Sequence, residues 1–552
     1  MMFPEHAEVV VAGGGPCGLM LANELGRRGV SVVLADEKPT TAFNPQANAT
    51  QARTMEHYRR LGFADEIRQQ GLPPEYPTDI AYFTRYATYE LARFRLPSAR
   101  EATDVVKTLS GSWSAAELPH RVSQKYVETV LRRHAEALPG VHVNYGWRLA
   151  DFTQERTGVH ATLECVANGE RRVVTGAYLV GADGPRSMVR DRLGFAYEGE
   201  TGVARDFMGG RMCAVYLRAP TFYDVVPNPP AWMYVTFNKD RRTFMAAVDG
   251  KGEFAFHTQL RPGEDESAIT DDMAREMFYR AAGAEMDIEI LARGTWTAGH
   301  ALVSSGFQQG RVFLGGDAAH LFTPAGGLGY NTAIEDAVNL GWKLAAVLQG
   351  AGGPELLASY ARERQPLARR NTSYARQFAD SLGNRSAPDE IESATPAGEA
   401  QRREAGVYFD AHARREFNIP GVTFGGRYDG SPIIVSDGVK PPPDSANVYV
   451  PSACPGGRAP HFWLADGRSL YDLFGFEWTL LQTGPDAPTG AFADAAADMN
   501  IDLRIVRLDL AEARTLYGAD LALIRPDQIV AWRGQGDRGA ADILRRVCGW
   551  GT

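Results

Sequence analysis

The stretch Glu8-Val-Val-Val-Ala-Gly-Gly-Gly-Pro-Cys-Gly18 decides how the chain begins to fold. Its apolar run is short enough for a buried strand, and three glycines at the G-x-G-x-x-G spacing, Gly13, Gly15 and Gly18, follow at once. A helical stretch from Leu19 to Arg28 and a second apolar run from Val30 to Ala35 complete a βαβ unit. That unit opens a dinucleotide-binding domain, because a turn without side chains lets a pyrophosphate approach main-chain N–H groups at the positive end of the helix. Pro16 can start the helix without removing a needed donor. Asp36, 18 positions after Gly18, is placed to accept hydrogen bonds from an adenosine ribose.

Composition narrows the partners. With 552 residues, 44% hydrophobic and 23% charged, the chain has the make-up of an ordinary globular protein of several domains. A formal charge of -9 argues against general attraction to nucleic acid or to an anionic membrane, so a small molecule is the expected partner. The cysteines, Cys17, Cys165, Cys213, Cys454 and Cys548, are odd in number, with no C-x-x-C pair and no Cys/His cluster at metal-ligand spacing. A reduced cytoplasm and no structural zinc follow. The segment Met1 to Glu8 has neither a basic nor a long apolar leader region, and no run of eighteen uncharged apolar residues appears later. The expectation is a cytoplasmic protein that does not cross a membrane.

Farther along, residues 80 to 105 and 195 to 292 are rich in Tyr, Phe, Trp, Val and Thr. Stretches such as Trp232-Met-Tyr-Val-Thr-Phe237 and Thr243-Phe-Met-Ala-Ala-Val248 alternate as antiparallel strands do. Trp232 and Tyr234 then share one face, with Met245 on the neighbouring strand, and these three are pocket candidates. An apolar strand Val312 to Leu314, a Gly/Pro-rich loop and a long helix from about Thr332 to Leu348 return the chain to α/β character. From about Gln401 the sequence reads as loop-rich, ending in the stiff Lys440-Pro-Pro-Pro443. A separate small domain follows.

Two further motifs specify which dinucleotide is bound. Tyr178-Leu-Val-Gly-Ala-Asp-Gly-Pro-Arg-Ser187 resembles the "DG" motif of flavoprotein hydroxylases, and Gly310-Arg-Val-Phe-Leu-Gly-Gly-Asp-Ala-Ala-His320 resembles their "GD" motif. The loop Pro324-Ala-Gly-Gly-Leu-Gly-Tyr-Asn331 and its helix are similar to the same family's flavin-facing segment. Arg53-Thr-Met-Glu56 and Arg121-Val-Ser-Gln124 match two more signatures. In this order, over roughly the first 370 residues, they identify a resemblance to class A FAD-dependent aromatic hydroxylases of the para-hydroxybenzoate hydroxylase fold.

The resemblance implies an α/β FAD-binding, Rossmann-like domain over 1–80, 105–194 and 293–395, and a mostly antiparallel β substrate lobe over 81–104 and 195–292. A connecting segment over 396–450 and a thioredoxin-like domain without C-x-x-C over 451–552 complete the chain. It further implies that Asp317 holds the ribityl hydroxyls, that Arg53, Arg121 and Gln124 contact the ribityl and phosphate portion, and that Asp183 lies near both the cofactor and the nicotinamide access. Pro324, Gly329 and Asn331 would face the flavin, where main-chain N–H groups and a helix N-terminus stabilise the negative charge of its reduced form. Tyr330 and Leu328 stand where many relatives have Met and Gln, which re-shapes the ring contacts and adds Tyr330 to the pocket candidates. His320 receives no catalytic role.

The chemistry implied is reduction of FAD by transiently bound NAD(P)H, reaction with O2 to a flavin C4a-hydroperoxide, and attack on an electron-rich ring of a small aromatic substrate. Phenol hydroxylases often carry Asp where this sequence has Asn48, so no residue is assigned as the substrate-activating base. Cys454 lacks a partner thiol, and the C-terminal domain reads as a packing or dimerisation element, with a homodimer expected only from the resemblance. Arg414-Arg-Glu-Phe417 and Pro420-Gly-Val-Thr-Phe-Gly425 lean towards hydroxylases that tailor natural products. Baeyer-Villiger or epoxidation chemistry on the same fold, a flavin carrier without turnover, and NADPH against NADH stay open at this point.

Overall fold

The computed structural model describes residues 4–203, 205–261 and 263–551; the first three residues of the segment read for a leader lie outside them. The opening unit pairs as its sequence dictates. Strand Val9–Ala12 lies between Val32–Asp36 and Tyr178–Gly181, parallel to both, with Val141–Tyr145 outside the second and Val312–Leu314 outside the third. A two-residue antiparallel strand, Gln308–Gln309, closes the edge. Every residue of the first two strands is buried, as befits a parallel sheet covered on both faces. Helices Pro16–Gly26, Gln124–Glu136 and Leu328–Leu348 pack against it. A meander of Trp147–Gln154, Val159–Cys165 and Arg171–Gly176 contributes Val159, Ala161, Leu163 and Val174 to the same core. The first helix begins earlier than its apolar pattern suggests, because Pro16 occupies its first turn.

The second lobe is a seven-stranded sheet in the order Glu289–Ala298, Gly210–Arg218, Glu253–Gln259, Thr243–Ala247, Met233–Thr236, Ile80–Phe83 and Glu90–Phe94. All its pairings are antiparallel except Met233–Thr236 with Ile80–Phe83. The shared face expected for Trp232 and Tyr234 is not found. The main-chain N–H groups of Trp232 and Met233 both donate to Asp79 O, which breaks the alternation just before the strand. Tyr234 therefore packs among Phe83, Phe222 and Phe254, and Met245 lies directly across from it. Both are plain core. Trp232 turns the other way, to Arg121 and Phe417.

The stretch read as loop-rich from Gln401 begins inside a helix, Pro396–Phe417. Thr395 caps it and Pro396 starts it, but eight of its 22 residues are charged. Only Gly398, Ala405, Phe409, His412, Ala413 and Glu416 turn inward, so its apolar periodicity is too sparse to read. Phe409 stacks on Tyr82 at 4.7 Å, which seats the helix on the lobe. Beyond it, residues 432–450 carry no helix or strand.

The last domain has a four-stranded sheet in the order Leu503–Arg507, Trp478–Gln482, Leu521–Ile524, Val530–Gly534. The first pair is parallel and the others antiparallel, with three helices, which is the thioredoxin-like arrangement. Cys454 is buried and unpaired. Trp478 meets Trp342 of the long Leu328–Leu348 helix edge to face at 5.7 Å. Among the described residues no helix is long and apolar enough to cross a membrane.

Candidate active site

The three glycines of the first turn serve different ends. Gly13 has φ +108°, and a Cβ there would lie 2.0 Å from Ala182 O; a Cβ on Gly18 would lie 2.0 Å from Gly13 O. Both are needed for strand, helix and the Asp183 loop to close together. Gly15 is different, since a Cβ there meets nothing within 4 Å and the backbone is extended. It faces open space at the helix N-terminus, where a pyrophosphate fits. Gly15→Val should fold with an unchanged melting temperature yet bind FAD at least about tenfold more weakly, as a titration of apoprotein would show. Equal affinity would move the pyrophosphate elsewhere. Asp36 accepts hydrogen bonds from Gly14 N (2.7 Å) and Lys38 N (2.8 Å), so it braces the turn.

Asp183 accepts hydrogen bonds from Ser187 Oγ (2.5 Å) and Val189 N (3.1 Å), and burial raises its pKa. Its loop is tied to the first strand by Ala182 N donating to Ala12 O. Asp317 sits in a single 3-10 turn, Gly316–Ala318, directly after strand Val312–Leu314. Its side chain is accessible and yet its pKa is raised by desolvation, with His320 and Lys38 opposing, which places the carboxyl in a recess of the protein.

Asp336, which the sequence did not single out, supports this turn. It accepts hydrogen bonds from Gly316 N (3.1 Å) and Arg364 Nε (2.7 Å) and pairs with His320 Nε2 at 2.6 Å. Burial would raise its pKa, but His320 and Arg364 hold it below the usual value. The legible signal was an acidic residue within the helical stretch Ala333-Ile-Glu-Asp-Ala-Val338, where Glu335 is the only other charge.

The remaining motifs converge on the loop before that helix. Gly326 and Gly327 both have positive φ, +68° and +63°, which lets the chain turn into the Leu328–Leu348 helix. Asn331 accepts from Gln51 N (2.8 Å) and donates to Ala49 O (2.9 Å) and Gly327 O (2.6 Å), while Gln51 Nε2 donates to Gly326 O (2.7 Å). Thr50 and His120 exchange main-chain hydrogen bonds, and Gln124 N donates to Ala47 O, so segments 47–53, 120–124 and 324–331 form one wall. Asn331 therefore fastens loops together. Glu416 adds a support that the sequence did not show, accepting from Gly326 N at 2.9 Å. Pro324 is exposed, and Gly329 lies against Phe322.

Four other candidates have protein partners of their own. Arg53, expected at the ribityl and phosphate portion, donates to Glu56 Oε2 (2.9 Å), Gln528 Oε1 (2.8 Å) and Asp527 O (2.6 Å). It joins its helix to the C-terminal domain, because the buried acceptors lie on that side. Gln124 Nε2 donates to Glu128 Oε1 at 2.7 Å. The Tyr330 hydroxyl pairs with Tyr58, which draws it into the first domain. Arg121 is buried with its guanidinium 4.5 Å from the Trp232 ring centroid.

An open glycine cradle at a helix N-terminus, an accessible recessed carboxylate and a two-glycine loop fit FAD. The FAD binding domain family model matches residues 6–375, and the model for the C-terminal domain of aromatic-ring hydroxylases matches 452–550. This chain is a class A flavin-dependent aromatic hydroxylase. The hydroxylase is 32% identical to FAD-dependent monooxygenase opdD of Penicillium oxalicum, over 90% of this chain and 98% of that one. A structure of RebC soaked with chromopyrrolic acid and holding 7-carboxy-K252c superposes with a TM-score of 0.88 at 31% identity, covering 99% of this chain and 100% of the other. A ternary complex of aklavinone-11 hydroxylase with FAD and aklavinone gives 0.80 at 27% identity, covering 99% and 100%. The hydroxylase thus uses FAD, with NAD(P)H and O2 as the family's standard co-substrates, to oxygenate aromatic compounds.

Proposed function

We propose that this hydroxylase acts on a phenol-bearing ring of a polycyclic, polyketide-like natural-product intermediate and inserts one oxygen into that ring. The observation that supports this reading is the make-up of the place where lobe and flavin wall meet. There the buried Trp232 indole and Arg121 guanidinium meet the Phe417 ring, and the sequence carries Asn48 where phenol hydroxylases often have a carboxylate. Flat aromatic walls suit a flat substrate, and a site without an acidic base suits a phenol acidic enough to ionise with little help. The relatives include an aklavinone 12-hydroxylase and two polyketide hydroxylases from Streptomyces, which is the same substrate class.

FAD, when bound, would carry the reducing equivalents taken from NAD(P)H and activate O2, the source of the inserted oxygen. The chain's own residues bind and orient. Gly15 and the helix N-terminus receive the pyrophosphate, Asp317 the ribityl hydroxyls, and the wall of segments 47–53, 120–124 and 324–331 fixes the ring's distance from Trp232 while excluding water. The test is NAD(P)H oxidation and oxygen uptake by the holoenzyme with hydroxynaphthalenes, hydroxyanthraquinones and simple phenols, with products read by mass. A rise in rate with polycyclic phenols and a gain of one oxygen atom is expected. Preference for simple phenols would overturn the substrate class, and a lactone product would replace hydroxylation by Baeyer-Villiger insertion.

A further inference from the structure

Buried polar atoms in folded proteins nearly always have partners, and a buried cation without one is rarer still. Arg121 is such a cation. It is 4% exposed, its Nη1 has no hydrogen-bond partner, and no carboxylate pairs with it among the described residues. What it does touch is aromatic, with Trp232 at 4.5 Å and Phe417 at 6.0 Å from its Cζ. Trp232 Nε1, a second donor, is buried and unpartnered as well. The orphans continue along the same ribbon: Asn48 Oδ1, Thr50 Oγ1 and Ser123 Oγ lie on the two segments joined by the Thr50–His120 pairing.

The place is adjacent to the flavin loop. Glu416 holds the Gly326 amide, and the next residue, Phe417, meets the Trp232 ring edge to face at 6.3 Å. The Arg121 guanidinium therefore stands between the loop that receives the flavin ring and the lobe that receives the substrate. A cation held there by cation–π contact alone keeps its hydrogen-bonding fork free. Burial pushes its pKa down to about 10, which still leaves it charged at neutral pH.

We propose that Arg121, with Trp232 Nε1, is the subsite for an anionic oxygen of the aromatic substrate, either an ionised ring hydroxyl or a ring carboxylate. This rests on the reading of the protein as a hydroxylase of phenolic rings. It also supplies what the Asn48 position lacks. A fixed guanidinium favours the ionised phenol electrostatically, which raises the ring's electron density without a general base.

The test compares the holoenzyme with Arg121→Gln and Arg121→Lys, using three probes. Alizarin reports a ring oxyanion by its colour change, 1-hydroxy-2-naphthoate carries a carboxylate, and 1-naphthol is neutral at pH 7. Wild-type protein is expected to bind at least one of the anionic probes more tightly than 1-naphthol. Arg121→Gln should lose at least about tenfold in affinity for that probe, with 1-naphthol binding and flavin content unchanged, and Arg121→Lys should lie between. Which anionic probe responds identifies the source of the oxygen. Because the variant removes an unpaired buried charge, apoprotein stability should hold or rise, which a merely structural arginine would not allow. Loss of flavin from Arg121→Gln would assign the guanidinium to a cofactor phosphate and overturn the proposal, as would equal affinity of variant and wild type for both anions. Failure of the substrate-class reading shows differently: no polycyclic phenol is oxygenated, yet the arginine-dependent anion binding persists.

Discussion

Asp317→Ala is expected to give a folded, colourless protein. Among the described residues the Asp317 carboxylate accepts no hydrogen bond from another protein group, and the turn that carries it is held from behind by Asp336. Desolvation raises its pKa, so the fold gains little from its charge and loses little with it. Flavin binding is another matter. A carboxylate accepting two ribityl hydroxyls contributes about 1.5–3 kcal/mol per bond, so its loss should weaken FAD binding by roughly a hundredfold to ten-thousandfold. Absorbance at the flavin band of purified protein, a melting curve and an FAD titration of the apoprotein check this together. Normal flavin occupancy in the variant would remove Asp317 from the site. Asp336→Ala provides the contrast, since it leaves buried His320 Nε2 without its acceptor and Arg364 with Glu335 as its only carboxylate, and should lower the melting temperature as well as the occupancy.

That contrast also shows what the sequence could and could not reveal. The backbone-determined features were legible, because Gly13 and Gly18 are forced by contacts of 2.0 Å and such constraints leave a fixed spacing. The apolar runs of the parallel sheet were legible for the same reason, being buried on both sides. Long-range partnerships were not. Glu416 reaches Gly326 across 90 residues and Arg53 reaches Gln528 across 475, and no local pattern encodes either. Arg53 lies in a family signature and its hydrogen bonds run to Glu56, Gln528 and Asp527, partners that the motif itself does not encode. The one face expected to be shared by Trp232 and Tyr234 broke on a finer point. Alternation is reliable only while the strand is regular, and the doubled hydrogen bonds at Asp79 O reverse Trp232 relative to Tyr234.

The second large effect is expected at Glu363, far from the chemistry. Its carboxylate accepts from Lys343 Nζ (2.7 Å), Asn339 Nδ2 (2.7 Å), Ser431 Oγ (2.6 Å) and both terminal nitrogens of Arg525 (2.7 and 3.0 Å), with Glu363, Lys343 and Arg525 side chains wholly buried. One carboxylate thus joins the flavin-loop helix, the helix Pro354–Gly383, the irregular segment at Ser431 and the C-terminal domain. Glu363→Ala leaves buried Lys343 without its carboxylate and Arg525 with Asp527 alone, and should cost about 3–5 kcal/mol, read from denaturant unfolding; a loss under about 1 kcal/mol would refute the account. Burial opposes ionisation of Glu363, but Arg525 and Lys343 hold it well below the usual carboxylate range. Its contribution is therefore full above the unfolded value of about 4.3 and fades as pH falls from there towards the folded value. Glu363→Gln should lose that part of the acid sensitivity while keeping some of the hydrogen bonds. Because the same carboxylate anchors the helix proposed to face the flavin with its first turn, the variant should also release FAD more readily. A thioredoxin-like domain without a C-x-x-C pair then has a physical use, as an abutment for the helix that carries the glycine loop.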